Sequence, residues 1–476
     1  PRLLSCPARR PQRLPPAMTR RTVILFLNPD PRREAGCNLS LLSLIAGLDP
    51  RFHPVVAIPE NSAFAELLRE RHIETVDYRM NNWWYPSQEH FFRSAAGFHA
   101  RIRHLVEIIR TRQVRVVHSN AEYAFEGALA AAQTKTPHIW NIRQVFGANM
   151  DILRFFPLTP EALGEIMAGL SDRIVPNAQP LIGTFPDSIP TGKFHVIPSG
   201  VKLTDPPGKS AAHAALRKRL ALPQATRLIV TMGRISPEKD LKTFIDTARE
   251  LLRRRPRENL HFAHFGSVNN AVYFDELKDS LGSLSASVTF AGTAEAPLDI
   301  LRGADILLFT STSFEGLARV CMESLLVELP VVSTRCLGPE EYLIDGETAL
   351  LADPGDVGRL ADQVEKLLDQ PELAVSLAQA GGRLVRERYG EERVCAQWMA
   401  LYDTLLKAGP RNSRMPSATA EAAINLISLC GQLGEQLQQQ ERRLQEAEKL
   451  TRIIGLPIQA GKRLARALYP FSGRRK

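Results

Sequence analysis

SFEGLARVCMESLLVELPVVST, Ser313 to Thr334, runs from a polar loop through an amphipathic helix into an apolar strand opened by Pro330. It sets two carboxylates, Glu315 and Glu323, eight positions apart, the first ahead of the helix and the second inside it. At the rise of an α-helix that spacing spans roughly 12 Å, close to the distance from a sugar ring across a diphosphate to a ribose. Between the carboxylates lie the backbone N–H groups of Gly316, Leu317 and Ala318, at a helix N-terminus, where phosphate is favoured. One element of this kind can hold both ends of a nucleotide-sugar. Two isolated glutamates at this spacing also occur on an ordinary solvated helix, so the flanking sequence decides between the two readings.

The flanks alternate apolar runs with helical periodicity. From Met18, strands are predicted at 23–27, 55–58, 114–118, 139–142, 173–175 and 195–197. Helical faces separate them, such as Leu41, Leu44, Ile45 and Leu48, or Ile102, Leu105, Val106 and Ile109. Around 200–210 the composition shifts to Pro, Gly and Lys, and a second series follows with strands predicted at 228–231, 261–265, 288–291, 306–309 and 331–333. Its first helix carries Leu241, Phe244, Ile245 and Ala248 at helical spacing. Such alternation implies parallel sheets covered on both faces. The fold class is α/β: two Rossmann-like, doubly wound parallel-sheet lobes facing a cleft, plus a C-terminal helical tail. Ligands in such sheets bind beyond the carboxyl ends of the strands.

The chain of 476 residues, 44% hydrophobic and 23% charged, supports two lobes and a tail. No apolar run approaches the roughly 18 residues of a membrane span, and no secretory h-region with a cleavage site is present. The six cysteines are scattered without a C-x-x-C pair, which points away from metal and disulfide frameworks and toward a reducing cytoplasm. The formal charge of +9 does not indicate nucleic acid, because Lys449, Arg452, Lys462, Arg463, Arg466, Arg474, Arg475 and Lys476 follow one another with no acidic residue between them.

Residues 1–17, Arg- and Pro-rich, read as a disordered or artefactual extension. The first lobe is expected over 18–200, the second over 201–390, a helix crossing back to the first lobe over 391–407, and a linker over 408–420. In the tail, 421–476, Leu426, Cys430, Leu433, Leu437, Leu444 and Ala447 keep an a/d-like spacing, so self-association is expected through 424–450. Residues 450–476 mix Ile458, Leu464, Leu468, Tyr469 and Phe471 with basic side chains. Anionic lipid attracts such a segment by about 1 kcal/mol per basic residue, so an anionic membrane surface is the expected partner, with a plain disordered or oligomerising tail the alternative.

Arg234 and Lys239 follow a predicted strand and Gly233. Two cations at the carboxyl end of a strand can neutralise a departing diphosphate, although the same pair at a surface helix is often mere solvated charge. The aromatic stretch MNNWWYPSQEHFF, residues 80–92, reads either as buried packing or as an acceptor groove.

The stretch around Glu315 resembles the E-x7-E element of the family 4 retaining glycosyltransferases, group 1 type, in the subtype whose loop reads Glu-Gly-Leu. FHVIPSGV (194–201), TMGRISPEKDLKTFIDTARELL (231–252), LDILRGADILLFTSTSFEG (298–316) and EEYLIDGETALLADPGD (340–356) follow that family's pattern in order, so the resemblance covers roughly 18–407. It implies the glycosyltransferase-B architecture, with an acceptor-binding first lobe and a nucleotide-sugar-binding second lobe. It implies catalytic roles for Arg234, Lys239 and Glu315, and a donor site of Gly36, Gly233, Arg234, Lys239, Glu315, Gly316, Leu317, Ala318 and Glu323. Glu323 would hydrogen-bond the ribose, and Glu315 would face the donor sugar hydroxyls.

On the acceptor side His118 ends a strand and is either a cleft contact or a structural histidine, and Arg143 stands where many relatives have a cleft histidine. Asp240 replaces a small residue, Ala35 a second glycine of the glycine-rich loop, and Glu328 and Ala349 each a common glycine. The implied activity is transfer of a sugar from a nucleotide-diphosphate sugar to a saccharide or lipid-linked acceptor, with retention, in envelope polysaccharide or glycolipid synthesis. No metal and no cofactor beyond the co-substrate is called for, and the expected place is the cytoplasm, peripheral at the inner face of a membrane. The alternatives are a non-catalytic nucleotide-sugar-binding scaffold and an inverting transferase on the same fold.

Overall fold

TVILFL, Thr22–Leu27, is apolar without alternation, as a strand covered on both faces must be, and Ile24, Leu25, Phe26 and Leu27 are fully buried. The computed structural model describes residues 21–28, 30–33, 35–79, 97–121, 125–146, 159–202, 208–293, 296–312 and 315–410. Of the C-terminal region it describes 425, 429–436, 439–440, 442–443, 445–446 and 449. Residues 1–17, the aromatic stretch 80–92 and the basic segment 450–476 lie outside these.

The first lobe contains strands β1 (Thr22–Leu27), β2 (Phe52–Ile58), β3 (Glu74–Asp77), β4 (Val116–Ser119), β5 (His138–Ile142) and β6 (Arg173–Pro176). Helices α1 (Gly36–Ala46), α2 (Ala63–Glu70), α3 (Phe98–Thr111), α4 (Phe125–Thr134) and α5 (Pro160–Leu170) connect them. The second lobe contains β7 (Arg227–Met232), β8 (Leu260–Phe265), β9 (Val288–Phe290), β10 (Ile306–Phe309), β11 (Val331–Thr334) and β12 (Leu350–Ala352). Its helices are α6 (Lys209–Arg219), α7 (Leu241–Arg254), α8 (Ala271–Leu281), α9 (Pro297–Gly303), α10 (Arg319–Leu326), α11 (Val357–Asp369) and α12 (Pro371–Tyr389), and α13 (Glu391–Ala408) follows.

Both sheets are parallel and share one strand order, β3-β2-β1-β4-β5-β6 and, read in the same sense, β9-β8-β7-β10-β11-β12. The order reverses between β1 and β4 in the first and between β7 and β10 in the second, so the loops leaving those strands part around a crevice. Alternate residues feed opposite faces: Leu25 and Leu27 join one core of the first lobe, Ile24 and Phe26 the other. This is the two-lobed doubly wound α/β fold that the strand and helix pattern implies.

Three details differ from the sequence pattern. ETVD (β3) is too polar to read as a strand, and it forms an edge strand paired only to β2. LLA (β12) is too short to stand out. The strand expected at 195–197 does not form: Phe194 makes one bridge with Ile174, and Ile197 N–H donates to the Pro176 carbonyl at 3.2 Å. Pro176 has no N–H to return, so the ladder stops there.

Val394, Cys395, Trp398, Leu401, Tyr402 and Leu405 of α13 form one helical stripe that completes a core of the first lobe. The chain passes between the lobes at two adjacent points, where Val201 bridges Gly390, Val201 N–H donates to Tyr389 O at 2.9 Å and Glu391 N–H returns to Val201 O at 3.2 Å. In the tail, the Cys430 side chain is buried in the first-lobe core and Glu435 accepts from Gly97 N–H at 3.2 Å, while Leu429 and Leu433 are exposed.

Glu328 follows α10 with φ of 58°, a left-handed conformation that L side chains resist, which explains why a glycine suits this position. Glu328→Gly should stabilise the chain by about 1 kcal/mol, read as a higher urea midpoint. An unchanged or lower midpoint would mean that Glu328 is not strained.

Candidate functional site

Two loops that leave neighbouring strands build the site. After β7 the chain runs through Gly233 and Arg234 into a 3-10 turn, Pro237–Lys239. Asp240 then caps α7 in the left-handed region, φ 42°, accepting from Thr243 N–H at 3.2 Å and from the Thr243 hydroxyl at 2.6 Å. Asp is one of the few side chains that tolerates this backbone while supplying a cap, which accounts for its presence where a small residue is usual.

After β10, Thr312 N–H donates to Glu238 O at 2.9 Å and the Thr310 hydroxyl to Asp240 O at 3.0 Å, so the second loop is zipped to the first. Lys239 and Glu315 consequently form an ion pair, and the Ser311 hydroxyl donates to the same carboxylate. The ammonium also lies 5.7 Å from the centre of the Phe309 ring. Burial alone would raise the Glu315 pKa. The Lys239 charge and hydrogen bond, the Ser311 hydroxyl and the Arg234 charge outweigh it, and the carboxyl sits below its ordinary value. Arg234 pairs with Glu238 at 3.3 Å.

Gly316 is where the lobes meet. A Cβ there would overlap the Arg143 carbonyl of the first lobe, and a Cβ on Gly338 would overlap the Gly316 carbonyl from behind. Three backbones therefore stack at a separation that admits no side chain. The hydroxyl of buried Tyr342 donates to Leu317 O at 2.6 Å and fixes the loop, which reaches α10 through Ala318 at φ 40°. Among the described residues, the N–H groups of Gly316, Leu317 and Ala318 have no hydrogen-bond partner. They form a compact set of donors at the foot of α10.

The opposite wall comes from α1. Gly36 opens the helix, is exposed, and would place a Cβ in open space. Cys37 feels the charges of Asp30, Arg143, Arg32 and Arg234, although burial is the main reason its thiol is pushed up to about 11. One turn on, Ser40 lies 3.5 Å from Arg319 Nη1, and Arg319 Nε donates to Glu323 Oε1 at 2.6 Å. Arg234 thus acts on the first turn of α1 through its charge at Cys37, and Arg319, the partner of Glu323, reaches the next turn at Ser40.

On the first-lobe floor, Arg143 Nε and Nη2 donate to Asn120 Oδ1 at 3.1 and 2.8 Å, and Nη1 to Ser199 Oγ at 3.2 Å. Asn120 donates to Asn28 at 2.8 Å, and Asn28 to Asn38 at 2.9 Å. A chain of amides at the ends of β1 and β4 holds the guanidinium. Arg143 is therefore in the crevice. His118 is not: it is fully buried under α13, with Nδ1 2.8 Å from the Tyr402 hydroxyl and its ring centre 4.6 Å from that of Trp398. The pleat decides this, since His118 and Phe26 pair in register and point to the α13 side of the sheet. Burial, with the nearby charge of Arg143 adding to it, holds its pKa well below the ordinary histidine value.

Sequence reading passed over Ser311, Arg319, Gly338 and the asparagine chain. Asn28, directly after the apolar run 23–27, and Asn120, directly after the end of β4, carried a legible signal, whereas Ser311, Arg319 and Gly338 matter through contacts that no local pattern announces. Among the described residues no group of three or more His, Cys, Asp or Glu side chains is placed to hold a metal.

Residues 213–383 match the family described as glycosyl transferases group 1. The lipopolysaccharide core biosynthesis glycosyltransferase LpsE of Rhizobium meliloti (strain 1021) is 29% identical over 194 residues, 41% of this chain and 55% of that protein. A D-inositol 3-phosphate glycosyltransferase of Corynebacterium efficiens is 29% identical over 178 residues, 36% of this chain and 42% of that protein. The chain spans about half the length of the curated relatives it matches. The crystal structure of Anabaena Alr3699/HepE in complex with UDP-glucose superposes with a TM-score of 0.68 at 19% identity, covering 80% of this chain and 99% of that one. That likeness is one of fold, the glycosyltransferase-B architecture.

Two outcomes follow from the geometry. Gly316→Ala should overpack the contact with the Arg143 carbonyl and destabilise the chain by about 1–3 kcal/mol in urea; an unchanged midpoint would mean that the loop gives way without cost. His264 Nε2 donates to Gly233 O at 2.9 Å, and burial, opposed by that bond, pushes its pKa down to about 4. A depressed histidine contributes stability above its unfolded value near 6.5 that is lost as pH falls toward 4. Urea unfolding should therefore show roughly 2 kcal/mol of destabilisation from this group between pH 7 and pH 5, absent in His264→Gln.

Proposed function

We propose that this chain, whose residues 213–383 match the group 1 glycosyl transferases, moves a sugar from a nucleoside-diphosphate sugar to a saccharide or lipid-linked acceptor with retention of configuration. The observation that carries the proposal is the Lys239–Glu315 pair, set beside Arg234 and three free backbone donors at the switch point of the second sheet. The UDP-glucose of the HepE complex supports a donor of this class, and the named relatives support saccharide and polyol phosphate acceptors.

In this reading the free protein keeps the Lys239 charge neutralised by Glu315. The donor diphosphate settles over the Gly316, Leu317 and Ala318 N–H groups and takes over Lys239 and Arg234, leaving Glu315 to accept from the sugar hydroxyls. Glu323, on the next turns, meets the ribose. As the bond from the anomeric carbon to the diphosphate oxygen breaks, charge grows on that oxygen, where fixed cations act most strongly. The acceptor oxygen bonds the same face of the anomeric carbon, and its proton passes to the leaving diphosphate. No carboxylate nucleophile is needed, and the two cations with the helix N-terminus supply the charge a metal would otherwise bring.

Arg143, held by Asn120 and Ser199, sits where the acceptor approaches and suits an oxygen-rich or anionic acceptor. No helix among the described residues is long and apolar enough to cross a membrane. Placement at the inner face of a membrane in envelope polysaccharide or glycolipid synthesis is part of the proposal, with residues 450–476 as the contact.

The test is turnover by the purified full chain with UDP-, GDP- and ADP-sugars and a membrane lipid extract, followed by NMR of the product anomer. An α-donor should give an α-product, and Arg234→Ala and Lys239→Ala should each cut kcat by about 100-fold or more. Binding without hydrolysis or transfer would make the chain a scaffold, and a β-product an inverting enzyme.

A further inference from the structure

Arg319 opens α10, and helix physics does not ask for it there. A cation in the first turn opposes the macrodipole, and Arg four residues ahead of Glu is the less favourable order for such a pair. Its side chain is nevertheless largely buried, with 19% exposure. Nε donates to Glu323 Oε1 at 2.6 Å and Nη1 to the Gly200 carbonyl at 3.0 Å, with Ser40 of α1 beside it. Gly200 immediately precedes the Val201–Gly390 bridge where the chain crosses between lobes. One guanidinium therefore joins the inner carboxylate of the site, the interlobe crossing and the opposite wall.

We propose that Arg319 is the positioning residue of the nucleoside subsite: it fixes the Glu323 carboxylate for the two ribose hydroxyls and ties the filling of that subsite to the first lobe. The inference rests on Glu323 as the ribose ligand. A carboxylate offers about four lone-pair positions, and Arg319 takes one on Oε1, leaving the others for the 2′ and 3′ hydroxyls. Nε holds Oε1 while Nη1 of the same rigid fork stays on the Gly200 carbonyl. Lysine, a point charge on a flexible stem, cannot hold both partners in this geometry. A strut that merely joined the lobes would have no reason to grip the inner carboxylate.

The experiment is calorimetric titration of the full chain with UDP, GDP and ADP and with their 2′,3′-dideoxy counterparts, for the native protein, Arg319→Ala and Arg319→Lys. The native protein should prefer the ribose form of its nucleotide by about tenfold. Arg319→Ala should bring that preference to threefold or less, with Arg319→Lys between the two, and the loss should fall on donor KM rather than kcat. If Arg319→Ala binds the diphosphate but keeps the native preference, the inference is overturned while the proposed function stands. If the native protein binds none of the diphosphates, both fall. Should Arg319→Ala not fold, Arg319→Lys carries the same test: a preference equal to the native one overturns the inference.

Discussion

A lysine ammonium with little access to water must find a counter-charge, and in this chain Lys239 finds it on Glu315, a residue that leaves the neighbouring strand. The contact exists because β7 and β10 lie side by side where the strand order reverses. It is held by hydroxyls rather than by apolar packing: Thr310 and Thr312 fasten one loop to the other, and Ser311 shares the carboxylate. The same placement that satisfies Lys239 in the free protein leaves it beside Arg234 and the unpaired N–H groups ahead of α10. A set of fixed donors and cations of this kind favours a diphosphate over water because little reorganisation is required.

The first lobe is registered on this centre by backbone, not by charge. Gly338, Gly316 and the Arg143 carbonyl stack too closely for any Cβ, and the chain crosses between the lobes at the paired Val201 and Gly390. From the far side α13 returns to the first lobe with Trp398 and Tyr402 packed over His118. Packing stiffens the outer ends, while the crevice between is lined by polar groups such as Asn120, Arg143 and Ser199.

Much of this was legible in the sequence. Uninterrupted apolar runs gave the central strands, since burial on both faces leaves no alternation, and the Gly233 and Glu315 stretches located the charged loops. At two departures from the common pattern the backbone is informative: Asp240 caps α7 from a left-handed position, and Glu328 bears strain that a glycine would not. What stayed hidden depends on residues far apart in the chain. Which side of the sheet His118 points to is set by register against β1, the missing strand at 195–197 by a proline on its partner, and the role of Arg319 by a crossing at Gly200. Each is a tertiary fact with no local periodicity to reveal it.

The central claim is that the Lys239 ammonium changes partner, from Glu315 to phosphate, when the donor binds. A crystal structure of the full chain with its nucleoside diphosphate measures this directly. The account predicts Nζ of Lys239 at about 3 Å from a phosphate oxygen, Arg234 on the same diphosphate and Glu315 released. A diphosphate bound elsewhere, with Lys239 still on Glu315, would contradict it.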